Sequence, residues 1–93
     1  PLIIHGFNKK KSIADEMLKH GFYLSFGKSA LHNVSLQAIV KDFPTEKMFL
    51  ETDDADFEIS ELYQKVAQIK QTSVEDLQKQ INKNLENINI KII

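Results

Sequence analysis

The sequence predicts an α/β fold in which parallel strands are joined by crossover helices, and three observations carry that expectation. Short apolar runs recur at residues 1–5, 22–26 and 48–50. Between and after them, apolar residues return every three or four positions, the spacing of amphipathic helices. The resulting order is strand, helix, strand, helix, strand, helix, helix. A helix-length connection between successive strands makes them parallel, with right-handed crossovers.

Pro1-Leu2-Ile3-Ile4-His5 opens the chain as a strand buried on both faces, ending in a histidine and then Gly6. A chain that starts inside a buried strand suggests that a segment belongs upstream of it, although a leading proline also fits ordinary removal of methionine. A helix is expected from Asn8 to Leu18, capped by Asn8 or Ser12, with Ile13, Ala14, Met17 and Leu18 on its apolar stripe. Gly21 supplies a left-handed stop, and His20 stands where a cation suits the helix dipole. The second strand, residues 22–26, closes at Gly27. The next helix starts near Asn33 or Ser35, buries Leu36, Ile39, Val40 and Phe43, and stops at Pro44. Residues 45–47 lead into the third strand.

That third strand, Met48-Phe49-Leu50-Glu51-Thr52-Asp53, runs into four carboxylates within six residues, Glu51, Asp53, Asp54 and Asp56. Alternation places Phe49, Glu51 and Asp53 on one face, and Met48, Leu50 and Thr52 on the other. Helical spacing then resumes through Ile59, Leu62, Tyr63, Val66 and Ile69. Thr72-Ser73-Val74-Glu75 reads as a capping box, with Thr72 and Glu75 satisfying each other's neighbouring amides. The last helix carries Val74, Leu77, Ile81, Leu85 and Ile88, and residues 89–93 have no assignment.

Ninety-three residues make one small domain, and 42% hydrophobic with 27% charged residues is the balance of a globular chain. A net charge of −1 argues against a strongly basic nucleic-acid module. All 12 cations are lysines, so the planar two-pronged phosphate clamp of arginine is absent from this chain. There is no cysteine, hence no disulfide and no thiolate metal site, which fits a reducing compartment. With no apolar run long enough to span a bilayer, the expectation is a cytoplasmic protein with no membrane association.

In a parallel sheet the C-terminal strand ends emerge on one side, so His5, the Ser25–Gly27 turn and Asp53 are expected near one another. A histidine and an aspartate on neighbouring strand ends suit metal binding or proton transfer, although two ligands do not close a site. The bland alternative for Asp53 and its neighbours is a solvated acidic turn. His20 and His32 read as structural or solvated. Glu51 lies deeper than Asp53 on the same face, where a carboxylate without a partner costs several kcal/mol, on the order of the penalty for any unpaired buried charge. It is therefore expected to have a structural role, meeting its partner in a more complete fold and water or another chain here. Lys9-Lys10-Lys11 reads first as a solvated lysine face and second as a contact for a phosphate backbone.

His5-Gly6-Phe7, Gly21-Phe22-Tyr23-Leu24-Ser25 and Phe49-Leu50-Glu51-Thr52-Asp53 resemble the TatD family of metal-dependent deoxyribonucleases, (β/α)₈ TIM barrels related to the amidohydrolases. Ser73-Val74-Glu75-Asp76-Leu77 and Asn84-Leu85 look like that family's closing helix. The resemblance implies that the chain is the last three βα units of the barrel plus a C-terminal helix, since a barrel of about 250 residues spends about 30 per unit. It further implies that His5 and Asp53 are catalytic and metal-binding residues, Asp53 also taking the proton of the attacking water. The cofactor would be one or two divalent ions (Zn, Mg or Mn), and the substrate DNA or another phosphodiester. The family's remaining ligands, a His-x-His, a glutamate and a further histidine, have no match in this chain. Asn8-Lys9 and Asp54-Ala55-Asp56 depart from the family's usual Gly-Ser and proline, which leaves the loops' share in substrate choice open. The alternative to a nuclease portion is a self-contained α/β binding or assembly module without catalytic activity. As an isolated piece, the chain is expected to self-associate through its open sheet edges.

Overall fold

Three short strands pair side by side in chain order, all parallel: β1 (Ile3–Ile4), β2 (Tyr23–Phe26) and β3 (Met48–Leu50). The computed structural model describes residues 2–52 and 59–92, with side chains through Ile88. Ile3 and Ile4 stand opposite Tyr23 and Leu24, while Leu24, Ser25 and Phe26 stand opposite Met48, Phe49 and Leu50. The connections run through α1 (Lys11–Lys19) and α2 (Val34–Asp42), with α3 (Ile59–Lys70) and α4 (Val74–Ile92) following the sheet. This is the parallel α/β order expected from the sequence.

Register and alternation sort the sheet into two faces. Leu24, Phe26 and Met48 are fully buried and join the main core with Leu36, Val40, Leu62 and Val66 from α2 and α3. Phe26 is gripped edge-on by Phe7 and Phe43, each with ring centroids 6.0 Å away. On the other face, the Tyr23 ring lies 5.5 Å from that of Phe49, and the Lys47 ammonium sits 4.6 Å above Tyr23.

Local chemistry explains the element ends. Asn33 caps α2, its Oδ1 accepting from the Leu36 amide at 3.0 Å. Gly21 takes φ +79° just past α1. Three expectations are corrected. Helix α1 begins at Lys11, and its N-cap is Lys10, whose backbone is extended and whose side chain makes no capping bond. The reason lies upstream: Gly6 has a positive φ of +58° and Phe7 is drawn into the core, its amide donating to the Ser25 carbonyl at 2.9 Å. Asn8 therefore lies ahead of the helix, and its Oδ1 accepts from Asn33 Nδ2 at 3.5 Å.

At α4 the cap falls one residue later than expected. Ser73 Oγ, not Thr72, accepts from the Asp76 amide at 3.0 Å, because the Thr72 amide is still bonded back to Ala67 in the last turn of α3. The buried stripe of α4 also differs: Leu77, Ile81, Asn84 and Ile88 are buried, while Leu85 is 50% exposed and Val74 38% exposed. Asn84 is fully buried because its Nδ2 donates to two carbonyls, Thr45 and Met48, at 2.9 Å each. Its Oδ1 in turn accepts from Gln80 at 2.9 Å. The helix runs on to Ile92, within the stretch that the sequence pattern leaves unassigned.

Lys70 makes a second tie at the same end of the sheet. Its ammonium donates to the carbonyls of Lys41 and Phe43, which α2 leaves without partners at its C-terminus. Desolvation holds the Lys70 ammonium below the usual lysine range, opposed by the charges of Asp42 and Glu46.

Replacing Asn84 by alanine removes the side-chain donor to the Met48 carbonyl and leaves the Thr45 carbonyl with the Met48 amide alone, and should cost about 1–3 kcal/mol in urea-induced unfolding. Ser73→Ala should cost about 1 kcal/mol through removal of a helix cap. Thr72→Ala, tested alongside it, should cost clearly less.

Candidate functional site

The parallel pairing brings the ends of all three strands to one rim, and the ladder continues a little past them. The Phe7 amide reaches the Ser25 carbonyl at 2.9 Å, and the Glu51 amide reaches that of Phe26 at 3.0 Å. His5 and Gly6 thus leave β1 beside the end of β2, and Glu51 leaves β3 on its other side. Glu51 closes the gap. Its Oε2 lies 3.2 Å from His5 Nδ1, and its Oε1 accepts from the backbone amide of Gly6.

Two glycines leave room for this contact. Gly6 adopts a left-handed φ of +58°, and a Cβ there would stand 4.0 Å from Glu51 Oε1. Gly27 lies under the glutamate: a Cβ on it would be 3.6 Å from the Glu51 carbonyl oxygen and 3.8 Å from Glu51 Cγ. The Glu51 side chain is 19% exposed and that of His5 71% exposed. The carboxylate is therefore the sheltered partner, and the imidazole rises from it toward solvent.

This corrects the reading of Glu51 as a carboxylate whose partner lies beyond the chain. It does not point straight down into a packed interior; it leans across the end of β2 to a histidine 46 residues away in sequence. His5 stands where the sequence places it, at the C-terminal end of the first strand. Asp53, with Asp54 and Asp56, lies outside the described residues. Among the described residues no three histidine, aspartate or glutamate side chains converge as a metal cluster. His5 nevertheless suits a divalent ion, because a ligating imidazole commonly has a carboxylate on its other nitrogen.

The remaining sequence candidates fall elsewhere. His20 bonds Glu16 within α1 at 3.2 Å, an exposed pairing of helix neighbours. His32, with Lys28, Ser29 and Asn33, lines an open depression of about 490 Å³ in the connection between β2 and α2. Lys9, Lys10 and Lys11 are exposed between the rim and the first turn of α1, and Lys11 pairs with Asp15 at 3.2 Å. No helix among the described residues is long and apolar enough to cross a membrane.

Comparison with known proteins gives the same direction from each source. The family described as TatD related DNase matches residues 1–89. A curated Xenopus laevis protein, tatdn3-B, named as a candidate deoxyribonuclease, is 42% identical over 52 residues. A crystal structure of a TatD family hydrolase from Entamoeba histolytica superposes with a TM-score of 0.80 at 16% identity, over 91% of this chain. YJJV, a TatD homologue from Escherichia coli K12, gives 0.80 at 14% identity over 89% of the chain. The chain spans 40% and 38% of those two structures, and its match covers 56% of the chain and 20% of the curated relative. A partial barrel is consistent with these proportions.

The two rim glycines should respond differently to alanine. Gly6→Ala has space for the methyl group but forces a left-handed backbone, and should cost about 1–2 kcal/mol in thermal or urea unfolding. Gly27 has an ordinary extended backbone with φ −121°, and its methyl would make only normal contact. Gly27→Ala should be close to neutral.

Proposed function

The chain belongs to the TatD-related DNase family, and from that premise we propose that it is part of a metal-dependent hydrolase that cleaves phosphodiester bonds of DNA. In this reading the chain supplies the sixth, seventh and eighth strands of a (β/α)₈ barrel and the helix that closes it. The observation that carries the proposal is the meeting of β1 and β3 at one rim, where the Glu51 carboxylate backs His5 at 3.2 Å. A family match through residue 89 adds to it.

His5 and Asp53 are the proposed metal ligands and catalytic residues. A divalent ion held there (Zn, Mg or Mn) would stabilise charge on the phosphate and make water more acidic. Asp53 receives the proton of the attacking water, and His5 contributes a neutral nitrogen donor. The other ligands come from the rest of the barrel, so the isolated chain is inactive. Lys9 and Lys10 follow the rim directly and are exposed, a placement that suits passing contact with a phosphate backbone. Cytoplasmic location is the companion proposal, resting on a cysteine-free chain. The outer strands β1 and β3 would lead an isolated copy to pair with another.

The test is hydrolysis of DNA by the intact protein, with and without a chelator. His5→Ala and Asp53→Asn should each lower kcat/KM by more than about 100-fold, because removal of even an outer partner of a ligand costs about 10–100-fold. Activity indifferent to chelation and to both substitutions would overturn the proposal in favour of a non-catalytic module. Replacing Lys9, Lys10 and Lys11 together by alanine should weaken DNA binding and reduce its salt slope by about 0.9 for each phosphate that is no longer neutralised. Light scattering of the isolated chain should show self-association.

A further inference from the structure

We propose that Glu51 is a positioning residue: it fixes the proton of neutral His5 on Nδ1, so that the Nε2 lone pair faces the open side of the rim. Both oxygens of the carboxylate are committed, one to the Gly6 amide and the other to His5 Nδ1. An ionised carboxylate has only acceptors. In a neutral ring facing it, Nδ1 must therefore be the donor, and Nε2 is left as the acceptor. A histidine free in water prefers the opposite tautomer, so the contact changes the ring's state as well as its orientation.

The carboxylate is placed to enforce this. The Gly6 amide anchors one oxygen, Gly27 leaves space beneath Glu51 Cγ, and the side chain is 19% exposed while the imidazole is 71% exposed. Among the described residues the imidazole's polar contact is with the carboxylate alone. The use of this tautomer, presenting Nε2 to a divalent ion, rests on the function proposed above; the tautomer itself does not.

Glutamine at position 51 gives a sharp comparison. Its shape is nearly that of glutamate, but the Gly6 amide still requires an oxygen. The remaining NH₂ then faces His5 Nδ1, which must become an acceptor, and the proton moves to Nε2. A residue that merely held the Gly6 loop would leave the ring unaffected.

The experiment is long-range ¹H–¹⁵N spectroscopy of the imidazole rings in the metal-stripped intact protein, well above the ordinary imidazole titration range. Loss of signals in His5→Gln identifies the ring, and Zn²⁺ titration is followed in parallel. The Nδ1–H pattern is expected for His5, with Glu51→Gln giving the Nε2–H pattern and Zn²⁺ affinity lower by about 10–100-fold. Glu51→Ala, with neither acceptor nor donor, should return the ring to the mixture found in water. An Nε2–H ring in the unsubstituted protein overturns the proposal, and this outcome needs no variant to fold. An Nδ1–H ring retained in Glu51→Gln and Glu51→Ala overturns it too. A protein with the Nδ1–H ring that cleaves no phosphodiester keeps this assignment and loses the functional one; a nuclease with the Nε2–H ring does the reverse.

Discussion

The site depends on all three strands running the same way with β2 in the middle. Parallel pairing sends every C-terminal end to one rim, but it also separates β1 from β3 by two strand spacings, about 9.5 Å. One glutamate side chain does not bridge that distance over a full-sized strand end. Here β2 stops at Gly27, which has no side chain to fill the gap, and β1 curls inward through the positive φ of Gly6 and the bond from Phe7 to Ser25. Glu51 meets the incoming loop with both oxygens. Of the two glycines, Gly6 is the one the contact requires, through its left-handed backbone; at Gly27 a methyl group would still make only ordinary contact with Glu51.

The opposite end of the sheet is built for a different purpose. Asn84 ties α4 to the carbonyls of Thr45 and Met48 before and at the start of β3. Lys70 ties α3 to the exposed end of α2, and Lys47 covers the Tyr23 ring at the start of β2. These contacts use polar groups to bind helix to sheet where no ligand is expected. The rim, in contrast, holds its histidine, among the described residues, through its contact with Glu51, and the imidazole is 71% exposed. Parallel α/β folds commonly divide stability and chemistry between the two ends of their strands, and on the proposed function this chain carries both halves of that division within its three described strands.

Periodicity made much of the architecture legible: the buried face of α2 follows directly from spacings of three to four, and β2 stands out as a short apolar run that is buried throughout. Local rules also succeeded where the signal was a single residue with one conformational use, as with Asn33 before α2 and Gly21 after α1. They failed where a distant contact decided between neighbours. Asn8 is a good capping residue, but Phe7 beside it is drawn into the core, the helix begins only at Lys11, and the Asn8 side chain meets Asn33 instead. Thr72 is as suitable as Ser73, but it is still bonded into α3. Leu85 fits the hydrophobic stripe better than Asn84, yet two carbonyls in another part of the chain draw the asparagine inward. The partner of Glu51 is of this same kind: sequence reasoning could see that a carboxylate at that depth needs one, and only the fold identifies His5 and Gly6. Asp53, the other half of the sequence-predicted pair, belongs to residues outside the described structure.

The contact between Glu51 and His5 also bears on why a carboxylate is tolerated so near the sheet. An unpaired charge there would be costly, and its usual remedy is a counter-cation. A permanent cation such as lysine would neutralise Glu51 but would also repel a metal ion at the rim. An imidazole avoids that conflict: neutral, it gives the carboxylate a hydrogen and still keeps an electron pair on its far nitrogen. The Gly6 amide supplies the second donor without adding charge. The glutamate is thus satisfied by two neutral groups, and its negative charge remains available to favour a cation beyond the ring. On the functional reading proposed here, that residual charge is what makes a solvated histidine at the end of a short strand a better ligand than its exposure alone suggests.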